Sequence, residues 1–130
     1  MRAPSERGAV AVEMALLLPV LVLLLLGIME FGRAYNAQVT LTNAAREGVR
    51  VMAITNVQAD ARTAASNALS TLKTTSTNPT FTFTTTPSTS PVTCAAGRQV
   101  SMTISYSLSS LTGIAGPFSM TGRGVMQCGG

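Results

Sequence analysis

One carboxylate, Glu13, interrupts an otherwise apolar run from Ala9 to Met29. Its surroundings, Arg7-Gly8-Ala9-Val10-Ala11-Val12-Glu13-Met14, are spaced for chemistry on the chain itself. A charge placed in hydrocarbon costs about 2.5–3.5 kcal/mol even on lenient insertion scales, so Glu13 needs a partner or a purpose. Cleavage after Gly8 would supply the partner, a new α-amino group on Ala9. Such an amine has an ordinary pKa of about 7.7–8.0 and is largely cationic at neutral pH. It would lie one helical turn from Glu13 of the same chain and could equally meet Glu13 of a neighbouring helix. The plainer alternative makes Gly8 a flexible junction and Glu13 a first-turn acid favoured by the helix dipole. Orientation, leader length and spacing together favour cleavage.

Little else in the sequence could build a reaction centre. There is no His, and the acids besides Glu13 are Glu6, Glu30, Glu47 and Asp60. Gly122-Arg123-Gly124 is too short for a phosphate loop. A base, a nucleophile or a metal in mutual reach is therefore not expected, and neither an enzyme nor a cofactor is implied. The formal charge of +4 is thinly spread. Losing Arg2, Arg7 and Glu6 with a cleaved leader leaves seven bases against four acids, or +3. No basic stripe is interleaved with aromatics, so nucleic-acid binding has no support.

The elements that must position Glu13 begin with an anchor. Ala9–Met29 is about 21 residues, enough at 1.5 Å per residue to cross a hydrocarbon core about 30 Å thick. The run exceeds the roughly 7–15 apolar residues of a secretory signal, and Gly27-Ile28-Met29-Glu30-Phe31-Gly32-Arg33 is a poor signal-peptidase site. Arg2 and Arg7 keep the short N-terminal segment in the cytoplasm by the positive-inside rule, although Arg33, Arg46 and Arg50 weaken the contrast. Cys94 and Cys128 then fall in the exported part, where an oxidising compartment allows them to pair. The bridge would close a loop of about 35 residues and stabilise the domain by roughly 3–4 kcal/mol.

The helix is expected to continue beyond the lipid. Ala34, Ala37, Leu41, Ala44, Ala45, Gly48, Val49 and Met52 recur at three- and four-residue steps and mark one apolar stripe. Ala44-x-x-x-Gly48 permits close helix approach, and packing within its own domain is the favoured use of Leu41 through Met52. Glu30 with Arg33, and Glu47 with Arg50, are spaced to support the helix surface. Pro19 removes one backbone donor and should bend or loosen the span. Thr55 and Gln58 stand at capping-box spacing, so a second helix is expected from about Asn56 to Lys73. It would bury Val57, Ala61, Ala64, Ala65, Ala68 and Leu72. From Thr80 the period becomes two. Thr80–Thr84 and Val100–Leu108 alternate as strands, and a third includes Phe118 to Cys128, with Gly122 and Gly124 expected to mark a bulge. The fold class is α+β: a long N-terminal membrane-spanning helix, a shorter helix and a small antiparallel sheet.

Three blocks carry a family resemblance. They are Gly8 through Pro19, then Ile28-Met29-Glu30-Phe31-Gly32-Arg33-Ala34, then Thr42-Asn43-Ala44-Ala45-Arg46-Glu47-Gly48-Val49-Arg50. The first resembles a type IV prepilin processing site with its acid at the fifth mature position, Met14 standing where Tad-type sites usually carry an aromatic. Together the blocks resemble the TadE-like family, minor pilin-like (pseudopilin) proteins of tight-adherence (Tad, or Flp) pilus systems.

The resemblance covers the first fifty or so residues closely. It implies prepilin peptidase cleavage between Gly8 and Ala9, assembly through Glu13, and a helix surface motif comprising Asn43, Arg46, Glu47, Gly48 and Arg50. It also implies partners: other pilin-like subunits, a prepilin peptidase and an inner-membrane assembly platform with its motor ATPase. Major Flp pilins are much shorter and lack an exported β-rich domain, so a minor component is implied, serving adhesion and surface attachment. The expected organisation is a cytoplasmic leader 1–8, a transmembrane helix 9–29 in the bacterial inner membrane, and a periplasmic domain 30–130. The alternatives are an uncut single-pass membrane protein with a periplasmic interaction domain, and a domain secreted by signal peptidase.

Overall fold

The computed structural model describes residues 4–72 and 78–129. Arg2 and Lys73, which the sequence reading used for orientation and for closing the second helix, lie outside them. The chain divides into two compact units, Met1–Arg33 and Ala34–Gly130. Helix α1, Pro4–Thr55, contributes to both and continues past Pro19.

Within the second unit, the C-terminal part of α1 is joined by helix α2 (Gln58–Ala68), a 3-10 turn (Ser70–Leu72) and three strands. Strands β1 (Thr80–Thr86), β2 (Gln99–Leu108) and β3 (Phe118–Gln127) form one antiparallel sheet in the order β1-β2-β3. The chain is α+β, as expected. Alternation decides which sheet face is covered. Val100, Met102, Ile104, Tyr106 and Leu108 of β2 are buried, with Phe83 of β1. The apolar stripe of α1 meets them: Ala37, Leu41, Ala44, Ala45, Val49 and Met52 share the same core, and Ala34 packs at its margin. The other sheet face carries hydroxyls, among them Thr84 and Ser101, whose Oγ atoms are 2.6 Å apart.

The second helix is shorter than expected and starts differently. Asn56 adopts a positive φ of 56° and its N–H bonds to the Met52 carbonyl at 2.9 Å, which ends α1. Asparagine tolerates this left-handed cap better than most residues. No capping box forms. Thr55 Oγ1 instead donates to the Val51 carbonyl and accepts from the Val57 N–H. Consequently Val57 and Ala68 are exposed, Ala64 and Leu72 are half-buried, and Ala61, Ala65 and Leu69 face the core. Ala61 and Ala65 are buried as the sequence stripe places them, whereas Leu69 takes the inward position assigned to Ala68.

The expected bulge is absent. β2 and β3 pair without interruption from Gln99↔Gln127 to Leu108↔Phe118. Val125 simply points to the exposed face. Gly122 and Gly124 have another use, since both are buried directly beneath α1. A Cβ on Gly122 would collide with the backbone of Leu41, and one on Gly124 would stand 2.6 Å from the Ala45 carbonyl oxygen. Two strand residues advance about 6.8 Å and four helical residues about 6 Å. The strand and helix thus run side by side in the same direction, main chain against main chain. Glycine permits that approach.

Several polar links close the domain. Tyr106 Oη donates to the Leu72 carbonyl at 3.1 Å, and the Arg62 guanidinium sits 5.7 Å from the Phe83 ring centroid. Among the described residues no buried side-chain nitrogen or oxygen lacks a partner. The threonines at 40, 42, 55 and 63 each donate to the carbonyl four residues back, which keeps their hydroxyls within the helix pattern.

Candidate membrane and assembly segment

The first unit is helical from Pro4 onward, and this follows from its composition: leucine, alanine and methionine are strong helix formers. Gly8, Ala9 and Glu13 all lie in this helix and are exposed. A side chain at Gly8 would meet nothing within 4 Å. From Val10 through Met29 the large apolar side chains are exposed as well, apart from the half-buried Leu26, and they include the consecutive run Leu21 to Leu25. Each would gain about 1.5–3 kcal/mol on full burial. Summed over such a run, the gain from burying them is on the order of 10 kcal/mol. The segment is therefore suited to an apolar surround. Its length and apolarity suffice to cross a membrane.

Backbone carbonyls and amides inside such a helix bond to each other, which is the condition for crossing lipid. Glu13 is the one side chain between Ala9 and Met29 that this solvent penalises. On a helix, Ala9 and Glu13 share a face one turn apart. The arrangement can therefore hold an ion pair along one helix or between two, given a charged amine at Ala9. Other chemistry has few participants here. Among the described residues, no three His, Cys, Asp or Glu side chains gather as metal ligands.

The second block of interest, Asn43 through Arg50, is split by the helix. Asn43, Arg46, Glu47 and Arg50 face outward, and Glu47 and Arg50 form a salt bridge at 3.6 Å. The pair is solvent-exposed, so its contribution is small. Gly48, grouped from sequence with that surface motif, belongs to the opposite face. It is buried, and a Cβ there would run into Met102 Sδ and stand 3.1 Å from the Ala61 carbonyl oxygen. The Ala44-x-x-x-Gly48 pattern is thus used inside the domain, against β2 and α2.

Cys94 and Cys128 are joined as a disulfide, with Cα atoms 5.3 Å apart. The bridge ties the segment before β2 to the end of β3. Sequence reasoning missed what steadies it: Asn56 Oδ1 accepts the Cys94 N–H at 2.6 Å. One residue therefore ends α1, turns the chain and fixes the disulfide loop. An asparagine directly after a long apolar helical stripe was the available signal.

Residues 8–50 match the family described as TadE-like protein. The matched stretch opens on Gly8, includes Glu13 and closes on Arg50. Over this segment the chain is similar to that family. Comparison with curated proteins and with solved structures gives no match. The TadE-like match covers the N-terminal helix as far as Arg50 and stops before α2 and the sheet. It implies involvement in a Tad pilus system, and one long apolar N-terminal helix fits a single-pass membrane protein of such a system.

Proposed function

We propose that this chain is a minor pilin- or pseudopilin-like structural component in the biogenesis of a Tad (Flp, type IVc) pilus used in adhesion and surface attachment. A prepilin peptidase removes the leader after Gly8, and the chain assembles with other pilin-like subunits through its N-terminal helix. Residues 9–29 span the bacterial inner membrane, with the leader in the cytoplasm and the disulfide-bonded domain in the periplasm. Glu13 pairs with the Ala9 amine of its own or a neighbouring subunit. The chain acts as a building part, without catalysis of its own.

The observation that carries this reading is the exposed apolar run 9–29 with a single acid, Glu13, near its start, in a chain whose C-terminal unit encloses its own core. No residue of 9–29 enters that core, which leaves the segment for lipid and for other subunits. The mature N-terminus tests the reading directly, by intact mass and terminal-peptide analysis of protein purified from piliated cells. A start at Ala9 supports a processed pilin-like subunit. An uncut chain would instead mark a permanently anchored membrane protein, and a start beyond Gly32 a secreted domain.

A further inference from the structure

The two edges of the sheet differ. β3 forms one edge and lies along α1: a Cβ on Gly122 or Gly124 would strike the helix backbone, and Gln38 Nε2 donates to the Thr121 carbonyl at 2.8 Å. β1 forms the other edge, with β2 as its partner in the sheet. Among the described residues, no backbone hydrogen bond outside the β1–β2 ladder involves Thr80–Thr86. Main-chain groups alternate in direction along an antiparallel strand, so every second residue of β1 points its N–H and C=O away from β2. Folded proteins blunt such an edge with charge, proline, a bulge or a covering helix. β1 has no charge, proline or bulge within its seven residues, and it pairs with β2 without interruption. No charged residue occurs anywhere between Lys73 and Arg98. The strand consists of threonine and phenylalanine alone, both strong strand formers.

The same seven residues say what fits. Pro79 and Pro87 bracket them, and proline has no N–H, so a ladder added to this edge is confined to Thr80–Thr86. Consider an antiparallel partner of identical sequence, related by a two-fold axis at Phe83. Thr80 then stands opposite Thr86, Phe81 opposite Thr85, Thr82 opposite Thr84, and Phe83 opposite its own copy. Each pair joins positions of equal parity. Outward-pointing main-chain groups therefore meet outward-pointing groups, and the covered and open faces of the sheet continue across the junction. On the open face, where Thr80, Thr82, Thr84 and Thr86 are exposed, every pair is threonine with threonine, a favourable cross-strand match. Charge does not oppose the pairing, because the strand carries none.

We propose that β1 is a self-association edge, at which a second copy of this chain adds its own β1 antiparallel to make one continuous six-stranded sheet. Seven residues a side fall short of the roughly 20–30 in an interface that is stable by itself. The pairing therefore belongs to copies already held at high local concentration, which a shared membrane supplies. In that respect the inference rests on the membrane-spanning reading of 9–29. It adds a contact in the exported domain, separate from the N-terminal helix. The contact is isologous, so it closes after two copies and does not itself propagate a filament.

The test uses the full-length, disulfide-bonded chain in bacterial cells, with the photocrosslinker benzoylphenylalanine at Thr86, an exposed position. Illumination is expected to give a product of twice the chain mass, in which position 86 is joined to the segment from Thr80 to Thr82 of the second copy. Thr82→Lys, also at an exposed position, should remove most of that product without lowering the melting temperature. Thr121→Lys places the same charge on the same sheet face of β3 and should leave the product in place. A product that survives Thr82→Lys overturns the proposal. Equal loss from both lysine variants overturns it too, since added charge rather than a blocked edge then explains the loss. A crosslink to another segment or to a different protein refutes the pairing, as does no crosslink in a chain that sediments with membranes; the membrane reading stands in each of these cases. A chain recovered in the soluble fraction refutes the membrane reading itself and, with it, the local concentration on which the pairing depends.

Discussion

Gly124→Ala tests whether the domain depends on main chain packed against main chain. A Cβ at this position would stand 2.6 Å from the Ala45 carbonyl oxygen, 2.7 Å from its carbonyl carbon and 2.8 Å from the Arg46 nitrogen. Ordinary contact begins at 3.4 Å, so strand or helix must withdraw by about 0.6–0.8 Å. All three neighbours are helix backbone, and no side-chain rotation relieves the overlap. A gap of that size forfeits a quarter or more of the dispersion well for each atom pair left behind. Overpacking a tight core costs about 1–3 kcal/mol, offset by about 0.5–1 kcal/mol from replacing glycine within a strand, for a net loss of about 1–2 kcal/mol. In a domain of this size each kcal/mol shifts Tm by about 4–8 °C, so a fall of roughly 5–15 °C is expected. The assay is thermal unfolding of full-length, disulfide-bonded protein in detergent micelles, followed by near-ultraviolet circular dichroism. Gly116→Ala is the internal control, because a methyl there meets nothing within 4 Å. Should the two variants melt together, the close approach of β3 to α1 is refuted.

Other expectations are simpler. Cys94→Ser or Cys128→Ser should lower the unfolding free energy by roughly 3–4 kcal/mol on the chain-entropy account, read from urea denaturation; an unchanged midpoint would show that the loop is held without the bridge. Asn56→Gly keeps the left-handed backbone and loses only the bond to Cys94, costing about 0.5–1.5 kcal/mol. Asn56→Ala adds about 1–2 kcal/mol for an unfavourable φ, so the alanine variant should be the less stable, and the reverse order would contradict the cap. Glu13→Ala should leave membrane insertion intact, as judged by alkaline extraction of membranes, while reducing surface piliation; normal piliation would rule out an assembly role for this carboxylate.

Most of the helical architecture was legible from residue order. The α1 stripe follows a 3.6-residue period, and each member from Ala37 to Met52 is buried where that period places it. The alternation of Val100 through Leu108 likewise assigned the inner face of the central strand. Both patterns report a one-dimensional repeat that burial must respect. Gly8, Glu13 and the blocks up to Arg50 were equally open to reading, because a charge inside an apolar run stands out without any fold.

What the sequence left undecided depended on which surfaces meet. Gly-x-Gly within a strand fits a bulge or a close neighbour equally well, and only α1 lying along β3 selects the second. The start of α2 turned on Asn56, whose side chain finds its partner at Cys94, 38 positions away. The same holds for Gly48, which sequence spacing groups with a charged helix surface and tertiary packing places beneath Met102. Local order determined the span, the lone acid and the strand faces, since each depends on neighbours along the chain. Tertiary structure decided the glycine contacts, the cap and the strand edge left open, because those depend on groups brought together only when the sheet closes over the helix.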